Sequence, residues 1–431
     1  MIDVSRLHLS ILTFAFQSEP HVPTTAISTR APEAFPPSAW KQQGLAIVGD
    51  AAGDYMAAVA LSADARTLVV GASGWNNVDS EGYVKVYSAD EDGQNRVQVG
   101  QTIYGNANGD LCGWSVDVTA EGDSIVVGCL GNDIEDRRGY VRVFSLDSND
   151  VAVTGTWKQI GQDITGEAIG DLFGKSVSIS DDGKTIAVGA DINDGKNGEE
   201  SGHVRIFRLE DDGTSWKQVG EDFDGDMAYA HSGTSVSLSA NGLIVAIGGT
   251  GQVKVYQIDS GGSTSWEQLG QNIYGDNADF YFGWSVDFSP DGNSLAVGSP
   301  EFYEGGPGYV KVFILESGDD LGTGSWKQFG QSIYGEAKGD EFGYSVSLSD
   351  DAKTLAIGGS HHNDGTGHVR VYHMDDPESS WMQLGEDIDG EDASDFFGVS
   401  VSLSADGSKV AIASTYGNDD DSGQVSIFIM E

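Results

Sequence analysis

The feature that most constrains this chain is an internal repeat. Residues 325–380 read SWKQFGQSIYGEAKGDEFGYSVSLSDDAKTLAIGGSHHNDGTGHVRVYHMDDPESS, and most of the 431-residue chain repeats this segment with variations. Seven copies, each roughly 50 to 60 residues long, begin at Trp40, Arg96, Trp157, Trp216, Trp266, Trp326 and Trp381. Such a chain is predicted to stack similar units, each packed against its neighbours, rather than to fold around one central core.

Each copy predicts four β-strands, because its apolar residues alternate with small or polar ones. In the copy that begins at Trp326, the strands are predicted at Trp326 to Ile333, Phe342 to Ser349, Thr354 to Gly358 and His368 to His373. An Asp-Gly turn or a variant of it joins the second to the third of these, which is typical of tight hairpins. Seven four-stranded antiparallel units in series predict an all-β fold, a seven-bladed β-propeller.

The order of the strands predicts how the ring closes. If the Phe-Gly strand is innermost, each Trp strand is the outermost strand of the preceding blade, so the first Trp strand has no blade of its own. We expect Trp40 to Ile47 to pair with Gly423 to Met430 and to complete blade seven. This pairing removes the exposed edge of an open ring.

The repeated Phe-Gly element supports this prediction by resemblance. Asp340-Glu-Phe-Gly-Tyr-Ser-Val, followed by Leu355-Ala-Ile-Gly-Gly, resembles the FG-GAP repeat of integrin α-chain-like propellers, and the resemblance extends from Trp40 to Glu431. Repeats of that family often carry an Asp-x-Asp-x-Asp-Gly calcium loop in the first hairpin. The hairpin here is only Ser-x-Asp-Gly, as in Ser289-Pro-Asp-Gly292, so the resemblance assigns no calcium ligand to this chain.

Two regions are predicted. Residues 1–39 contain a short apolar run, Leu7 to Phe16, followed by a Pro-, Ala-, Thr- and Ser-rich stretch. They are interpreted either as the remnant of a leader with a flexible tether or as a disordered tail. Residues 40–431 are expected to form the propeller as one domain.

The charge balance limits the partners. The formal net charge is −44, which excludes nucleic acid as a natural ligand and disfavours acidic lipid surfaces. Most acidic clusters fall in the loops that lead into the inner strands and in the loops between second and third strands, which share one face. We therefore expect no cofactor and no membrane insertion, a monomer, and weak calcium binding at several places, no tighter than roughly millimolar.

No catalytic motif stands out. The chain has no Gly-x-Ser-x-Gly elbow, no His-Glu-x-x-His and no phosphate-binding loop before a helix. His361 and His362 with Asp364 are interpreted as a metal pair or base, or else as an exposed loop. The two cysteines, Cys112 and Cys129, flank one hairpin, where a disulfide and two buried thiols are both compatible with the sequence.

Residues that recur in every blade are predicted to hold the blades together, and residues that break the pattern are better site candidates. A base recurs on the third strand, and we expect it to pair with carboxylates of neighbouring loops: Lys85, Arg142, Arg205, Lys254, Lys311 and Arg370. The aromatic residues Trp114, Trp284 and Tyr344 are predicted to pack between blades rather than to contact a ligand.

Blade four departs furthest from the pattern. Its loop between second and third strands shrinks to Gly249-Thr-Gly251, and the approach to its inner strand reads Tyr229-Ala-His-Ser232 in place of Gly-Asp-x-Phe. The short loop predicts a depression, with an aromatic wall supplied by blade five. The candidate ligand-binding residues are His231, Asp279, Phe280, Tyr281, Glu301, Phe302, Tyr303 and Glu304. The alternative is that these rings only fill the space left by the missing loop.

Together these features predict a non-enzymatic recognition or adhesion module, secreted or at the cell surface. Its acidic face would bind a protein or a polysaccharide. The alternative is a hydrolase or lyase that uses a carboxylate or histidine at the mouth of the central channel, marked by a carboxylate of raised pKa beside aromatic rings.

Overall fold

The computed structural model describes residues 39–75, 77, 79–131, 138–147, 155–259, 261, 264–276, 279–302, 305–316, 324–375, 379–417 and 422–431. The predicted leader or tail lies outside these residues, except for Ala39. In the described part of the chain, no helix is long and apolar enough to cross a membrane. The only α-helical segment described is the single turn His362–Gly365.

Seven antiparallel sheets form the blades. The innermost strand of each blade, called here the inner strand, is Met56–Leu61, Cys112–Val118, Ser176–Ile179, Ser235–Leu238, Ser285–Phe288, Phe342–Leu348 or Ser400–Leu403, in blades one to seven. The second strands are Thr67–Ala72, Ser124–Cys129, Thr185–Ala190, Ile244–Gly249, Ser294–Ser299, Thr354–Gly359 and Lys409–Ser414. The third strands are Tyr83–Ala89, Tyr140–Asp147, His203–Leu209, Gln252–Ile258, Tyr309–Glu316, His368–His373 and Gln424–Met430.

The outer strand differs from the prediction because it is divided in two. Its first part is Arg96–Gln98, Thr156–Gln159, Trp216–Gln218, Trp266–Gln268, Ser325–Gln328, Met382–Gln383 or Trp40–Gln42, in blades one to seven. Its second part is Ile103–Tyr104, Ile164–Thr165, Phe223–Asp224, Ile273–Tyr274, Ile333–Tyr334, Ile388–Asp389 or Ile47–Val48. The break falls at a glycine with positive φ, such as Gly330 at 75°, a backbone conformation that a strand cannot continue through.

The predicted closure of the ring is confirmed. Trp40 pairs with Met430 and Ile47 with Val425, so the first strands of the chain complete blade seven. The seven-bladed, four-stranded antiparallel propeller predicted from the repeat is therefore the observed fold.

In six of the seven blades, a tryptophan at the start of the outer strand locks the blade to the preceding one. The indole Nε1 of Trp326, a buried residue, donates to the carbonyl of Leu269 at 2.9 Å. Trp40 does the same at the closure, with the carbonyl of Leu384 at 2.8 Å. The other members of this set are Trp157 with Val99, Trp216 with Ile160, Trp266 with Val219 and Trp381 with Phe329.

Cys112 and Cys129 lie opposite each other on the inner and second strands of blade two. Their sulfur atoms are 2.13 Å apart, so the pair forms a disulfide. Of the two arrangements that the sequence left open, the structure shows the bonded one.

The closure can be tested by truncation. Removing residues 1–47 deletes both parts of the outer strand of blade seven, together with the Trp40 hydrogen bond and packing. Loss of a large core aromatic residue lowers the free energy of unfolding by about 3 to 5 kcal/mol. The half-buried Trp40 is lost together with two strand segments, so we expect a sharp fall in melting temperature. Removing residues 1–36 should leave it unchanged. Equal melting of the two truncated proteins, measured by circular dichroism, would contradict the closure.

Candidate functional site

The recurring base is paired as predicted. Lys85, Lys254 and Lys311 place Nζ 2.5 to 2.6 Å from a carboxylate in the loop that leads into the inner strand of the same blade. Their side chains are mostly buried whereas those carboxylates are about half exposed. These pairs fix the loops on one face of the ring, and they are structural.

A second brace occurs in blades one, two and five. A tyrosine at the start of the third strand donates its hydroxyl to a buried aspartate in the loop before the inner strand, here called the approach loop. The pairs are Tyr83 with Asp54, Tyr140 with Asp110 and Tyr309 with Asp279, at 2.6 to 2.8 Å. Six of the acids that the sequence assigned to the negative face are in fact buried, so they do not add to its surface charge: Asp54, Asp110, Asp171, Asp279, Asp340 and Asp395.

Blade four lacks this brace. Ala230 stands where the aspartate is expected, Gln252 replaces the tyrosine, and Ser232 replaces the phenylalanine of Phe-Gly. With the aspartate and the tyrosine of the brace missing and the loop Gly249–Gly251 short, space is left between blade four and its neighbours. It forms a cavity of about 760 Å³. The depression expected over blade four is present in the structure.

Four of the sequence-predicted residues line this cavity, which we call the blade-four cavity: His231, Asp279, Phe280 and Tyr281. The ring of Phe280 is 62% exposed and available to a ligand. Asp279 is buried, and its carboxylate accepts hydrogen bonds from Tyr309 and Ser299, so its role is to brace the wall.

The remaining candidates lie behind the wall or outside the described residues. Phe302 is half-buried, and its ring packs edge-on against Trp284 and Tyr281, with centroids 4.7 and 5.0 Å away. The carboxylate of Glu301 lies next to Gly308 in its own loop. Tyr303 and Glu304 lie outside the described residues. For Phe302, the structure shows the packing contacts that the alternative interpretation requires.

The sequence analysis missed Tyr229 and Tyr274 as lining residues. Tyr229 is 51% exposed and Tyr274 is 62% exposed, and both face the cavity. Tyr229 has a φ of 61°, at a position where blades one, two, three and six have glycine. A bulky residue in this conformation is strained by about 1 to 3 kcal/mol. The sequence did hold a signal for this residue, because tyrosine stands where four other copies of the repeat have glycine.

Two ionisable groups lie at the edge of the cavity. One carboxylate oxygen of Asp191, Oδ1, is buried without a hydrogen-bond partner, and burial raises the pKa of this group. The charges of Lys175 and His231 oppose that rise. The Nδ1 atom of His231 lies 3.3 Å from the Asp191 carbonyl, and its Nε2 atom lies 3.7 Å from Glu200. The His231 ring thus contacts the backbone of Asp191, and both residues line the cavity.

The cavity continues toward the axis. Thr234 and Trp284 also line a second cavity of about 220 Å³ at the mouth of the channel. The residue between Gly and Ser of the Phe-Gly-x-Ser motif faces this space in every blade: Ala57, Trp114, Lys175, Thr234, Trp284, Tyr344 and Val399. The three aromatic residues also pack on neighbouring blades, with Trp284 and Tyr344 5.6 Å apart and Lys175 over the Trp114 ring. They are thus both packing residues and part of the channel wall.

Two inner strands carry an aspartate where most of the others carry serine. Asp117 accepts a hydrogen bond from the Ile179 amide of the next blade, and Asp287 accepts one from Leu348. Burial raises the pKa of Asp117 to about 6 and that of Asp287 to about 7. Part of the rise at Asp287 comes from the charge of Asp117. Both groups are half-buried near the axis.

The histidine loop of blade six differs from both expectations. His361 is exposed and pairs with Glu341, whereas the side chain of His362 is only 12% exposed and lies 3.0 Å from Asp340. His362 also stacks on His368 with ring centroids 4.1 Å apart. Asp364 points to solvent instead of joining them.

The comparisons with known proteins agree with the fold. Residues 165–207 match the family described as FG-GAP repeat, so the chain carries this repeat on a seven-bladed β-propeller. No curated protein matches the chain. A solved structure from Bacteroides uniformis, named a "putative 6-phosphogluconolactonase", is similar with a TM-score of 0.54 and 17% identity, over 78% of this chain and 85% of that chain. At this identity the likeness concerns the fold alone.

The raised pKa of Asp287 predicts a pH-dependent stability. Its ordinary pKa is 3.8 and its folded value is about 7, so the folded state binds the proton more tightly. This carboxylate therefore lowers the free energy of unfolding as pH rises from about 4 to 7. We expect Asp287→Ser to stabilise the protein at pH 8 by about 1 to 3 kcal/mol, with the gain vanishing toward pH 4.

Serine is the matched replacement because Ser237 already accepts the equivalent bond from the Phe288 amide. Urea unfolding at several pH values measures the difference in free energy of unfolding between the two proteins. The contributions of the other ionisable groups are common to both proteins and cancel in this difference. An equal gain at pH 4 and pH 8 would mean that packing, not the charge, explains it.

Proposed function

We propose that this protein is a non-enzymatic recognition or adhesion module that binds a protein or polysaccharide partner in the blade-four cavity. The observation that carries the proposal is the lining: the exposed rings of Tyr229, Tyr274 and Phe280 surround a cavity of about 760 Å³. Ring faces of this kind suit stacking on a sugar or on an apolar side chain. Each well-buried aromatic anchor contributes about 2 kcal/mol or more to binding.

Charge favours a basic protein segment over a sugar. The chain carries a formal net charge of −44. Two carboxylates lie beside the cavity: Glu199 accepts a hydrogen bond from the Tyr229 hydroxyl, and Glu200 lies close to His231. A lysine or arginine with a neighbouring apolar residue would meet both carboxylates and rings, and the attraction would weaken with salt.

The proposal extends to the setting of the protein. A disulfide between Cys112 and Cys129 supports an oxidising compartment, and we propose that the protein is secreted or at the cell surface. We also propose that it acts as a monomer without a resident cofactor. Weak calcium binding on the acidic face remains part of this proposal.

A hydrolase or lyase is the second candidate, and Asp191 is the observation that favours it. A carboxylate of raised pKa in a cavity that a histidine also lines can act as a general acid or base. The similar solved structure is named for a lactonase, but the likeness at 17% identity concerns the fold alone. Release of a cleaved product in the binding experiment below would favour this second function.

The binding site can be tested with a pair of matched tyrosines. Tyr274 and Tyr334 occupy the same repeat position and are similarly exposed, at 62% and 52%, but only Tyr274 lines the cavity. Arrays of short basic peptides and of glycans would be probed with the wild type, Tyr274→Ser, Tyr334→Ser and Phe280→Ser.

We expect Tyr274→Ser and Phe280→Ser to weaken binding of basic peptides by about tenfold or more, with unchanged melting temperatures. Tyr334→Ser should bind as the wild type does. Selective binding of glycans would make the partner a polysaccharide. Equal effects of the two tyrosine substitutions would contradict the site.

The strained Tyr229 gives a second test. Tyr229→Gly places the residue of the regular blades at this left-handed position. The change removes backbone strain but also an aromatic surface, so we expect a higher melting temperature together with weaker binding. A tyrosine that only filled space would give no loss of binding. Thermal unfolding and titration of the same array-selected peptide measure the two effects.

A further inference from the structure

Blade six carries a cluster of two histidines and one buried aspartate on the same face as the cavity. Asp340 lies in the approach loop, His362 in the loop between second and third strands, and His368 at the start of the third strand. One ligand atom from each lies within 4.8 Å of the others. Asp340 and His368 are fully buried, and the side chain of His362 is 12% exposed.

His368 occupies the position of the tyrosine that bonds the aspartate in blades one, two and five. A tyrosine there donates its hydroxyl, as Tyr309 does to Asp279 at 2.8 Å. In His368 both ring nitrogens are buried without a hydrogen-bond partner. A neutral imidazole has one donor and one acceptor nitrogen, and leaving both unsatisfied in the interior is unfavourable. A bound ligand would satisfy one of them.

The surroundings of His368 are shaped for its ring. Gly359 lies beside the imidazole ring. A Cβ atom on this residue would lie 2.7 Å from the His368 Nε2 atom, so any larger residue would occupy the space next to that nitrogen. The other nitrogen, Nδ1, lies 4.0 Å from the Asp387 carboxylate. A carboxylate behind a histidine is the usual outer partner of a metal-bound imidazole.

The oxygen of Asp340 that faces the cluster is hydrogen-bonded to His362, so a bound cation would replace the proton that the two share. The Oδ2 atom of Asp340 accepts the backbone amides of Glu336 and Ala337, whereas its Oδ1 atom faces His362 at 3.0 Å. Arg370 pairs with Asp387 and Glu336 instead of with Asp340.

We propose that Asp340, His362 and His368 bind one divalent first-row transition ion, of which Zn²⁺ is the best match. Two imidazoles and one carboxylate form a donor set that suits Zn²⁺ and its neighbours, whereas Ca²⁺ and Mg²⁺ prefer oxygen ligands throughout. This site is separate from the blade-four cavity, and it differs from the weak calcium sites expected from the sequence.

Blade three supplies an internal comparison. His203 occupies the same position as His368 and is equally buried, with Glu167 and Asp222 near it. However, no second histidine is present in that cluster, and Arg205 pairs with both carboxylates as Arg370 does in blade six. The two blades therefore differ in the second imidazole, and blade three is the control for blade six.

The test uses the untagged full chain after treatment with a chelator. Titration calorimetry with Zn²⁺ is run in millimolar Ca²⁺, which occupies weak carboxylate sites. A second readout is the visible absorption of Co²⁺, which reports four-coordinate binding to nitrogen and oxygen. The variants are His368→Tyr, which restores the residue of the regular blades, and His362→Asn. The controls are His203→Tyr and His361→Asn.

We expect one Zn²⁺ per wild-type chain, and binding at least about tenfold weaker in His368→Tyr and His362→Asn. Both controls should bind as the wild type does, and Zn²⁺ should raise the melting temperature only of proteins that bind it. Because tyrosine is the native residue in three other blades, loss of folding is not expected to obscure the result. Equal Zn²⁺ affinity in the wild type and His368→Tyr, or equal loss in His361→Asn, would overturn the proposal.

Discussion

The ring depends on a hydrogen bond that one inner strand gives to the next. The serine of Phe-Gly-x-Ser donates its hydroxyl to the glycine carbonyl of the following blade, at 2.7 to 2.9 Å, in Ser115 to Gly174, Ser176 to Gly233, Ser235 to Gly283, Ser285 to Gly343 and Ser345 to Gly398. Each contributes about 1 kcal/mol. Because Gly and Ser are both used in this contact, only the residue between them is free to vary. That residue lines the channel mouth, and its type varies among the blades.

Much of the fold could be predicted because it follows from a period of two and from the number of copies. The pairing of Trp40 with Met430 could be predicted from the order of the strands along the seven copies alone. The division of the outer strand was not predictable in the same way. It depends on the positive φ of residues such as Gly330, where a Cβ atom would come within 2.7 Å of the Trp381 ring of the next blade. That constraint exists only once the blades are packed.

The candidate site was partly predictable because it lies where the sequence departs from the repeat. His231, Phe280 and Tyr281 follow from departures that are visible in the sequence. The cavity itself is lined by Ala230 and Gln252, which replace the larger, bonded aspartate and tyrosine of the brace and leave volume empty. His368 was missed because it fits the strand pattern of its neighbours. Its partners come from two loops that are adjacent only in the folded blade.

The tyrosine–aspartate brace explains why departures become sites. Where both members are present, as in Tyr83 and Asp54, the polar groups satisfy each other. Blade four has lost both, and the result is an open cavity. Blade six has kept Asp340 and replaced the tyrosine with His368, and the result is a buried carboxylate beside unsatisfied ring nitrogens. A regular ring supplies rigid positions, and local loss of its bonding leaves groups that a ligand can satisfy. Functional positions are thus expected where a repeat gives up its own stabilising contacts.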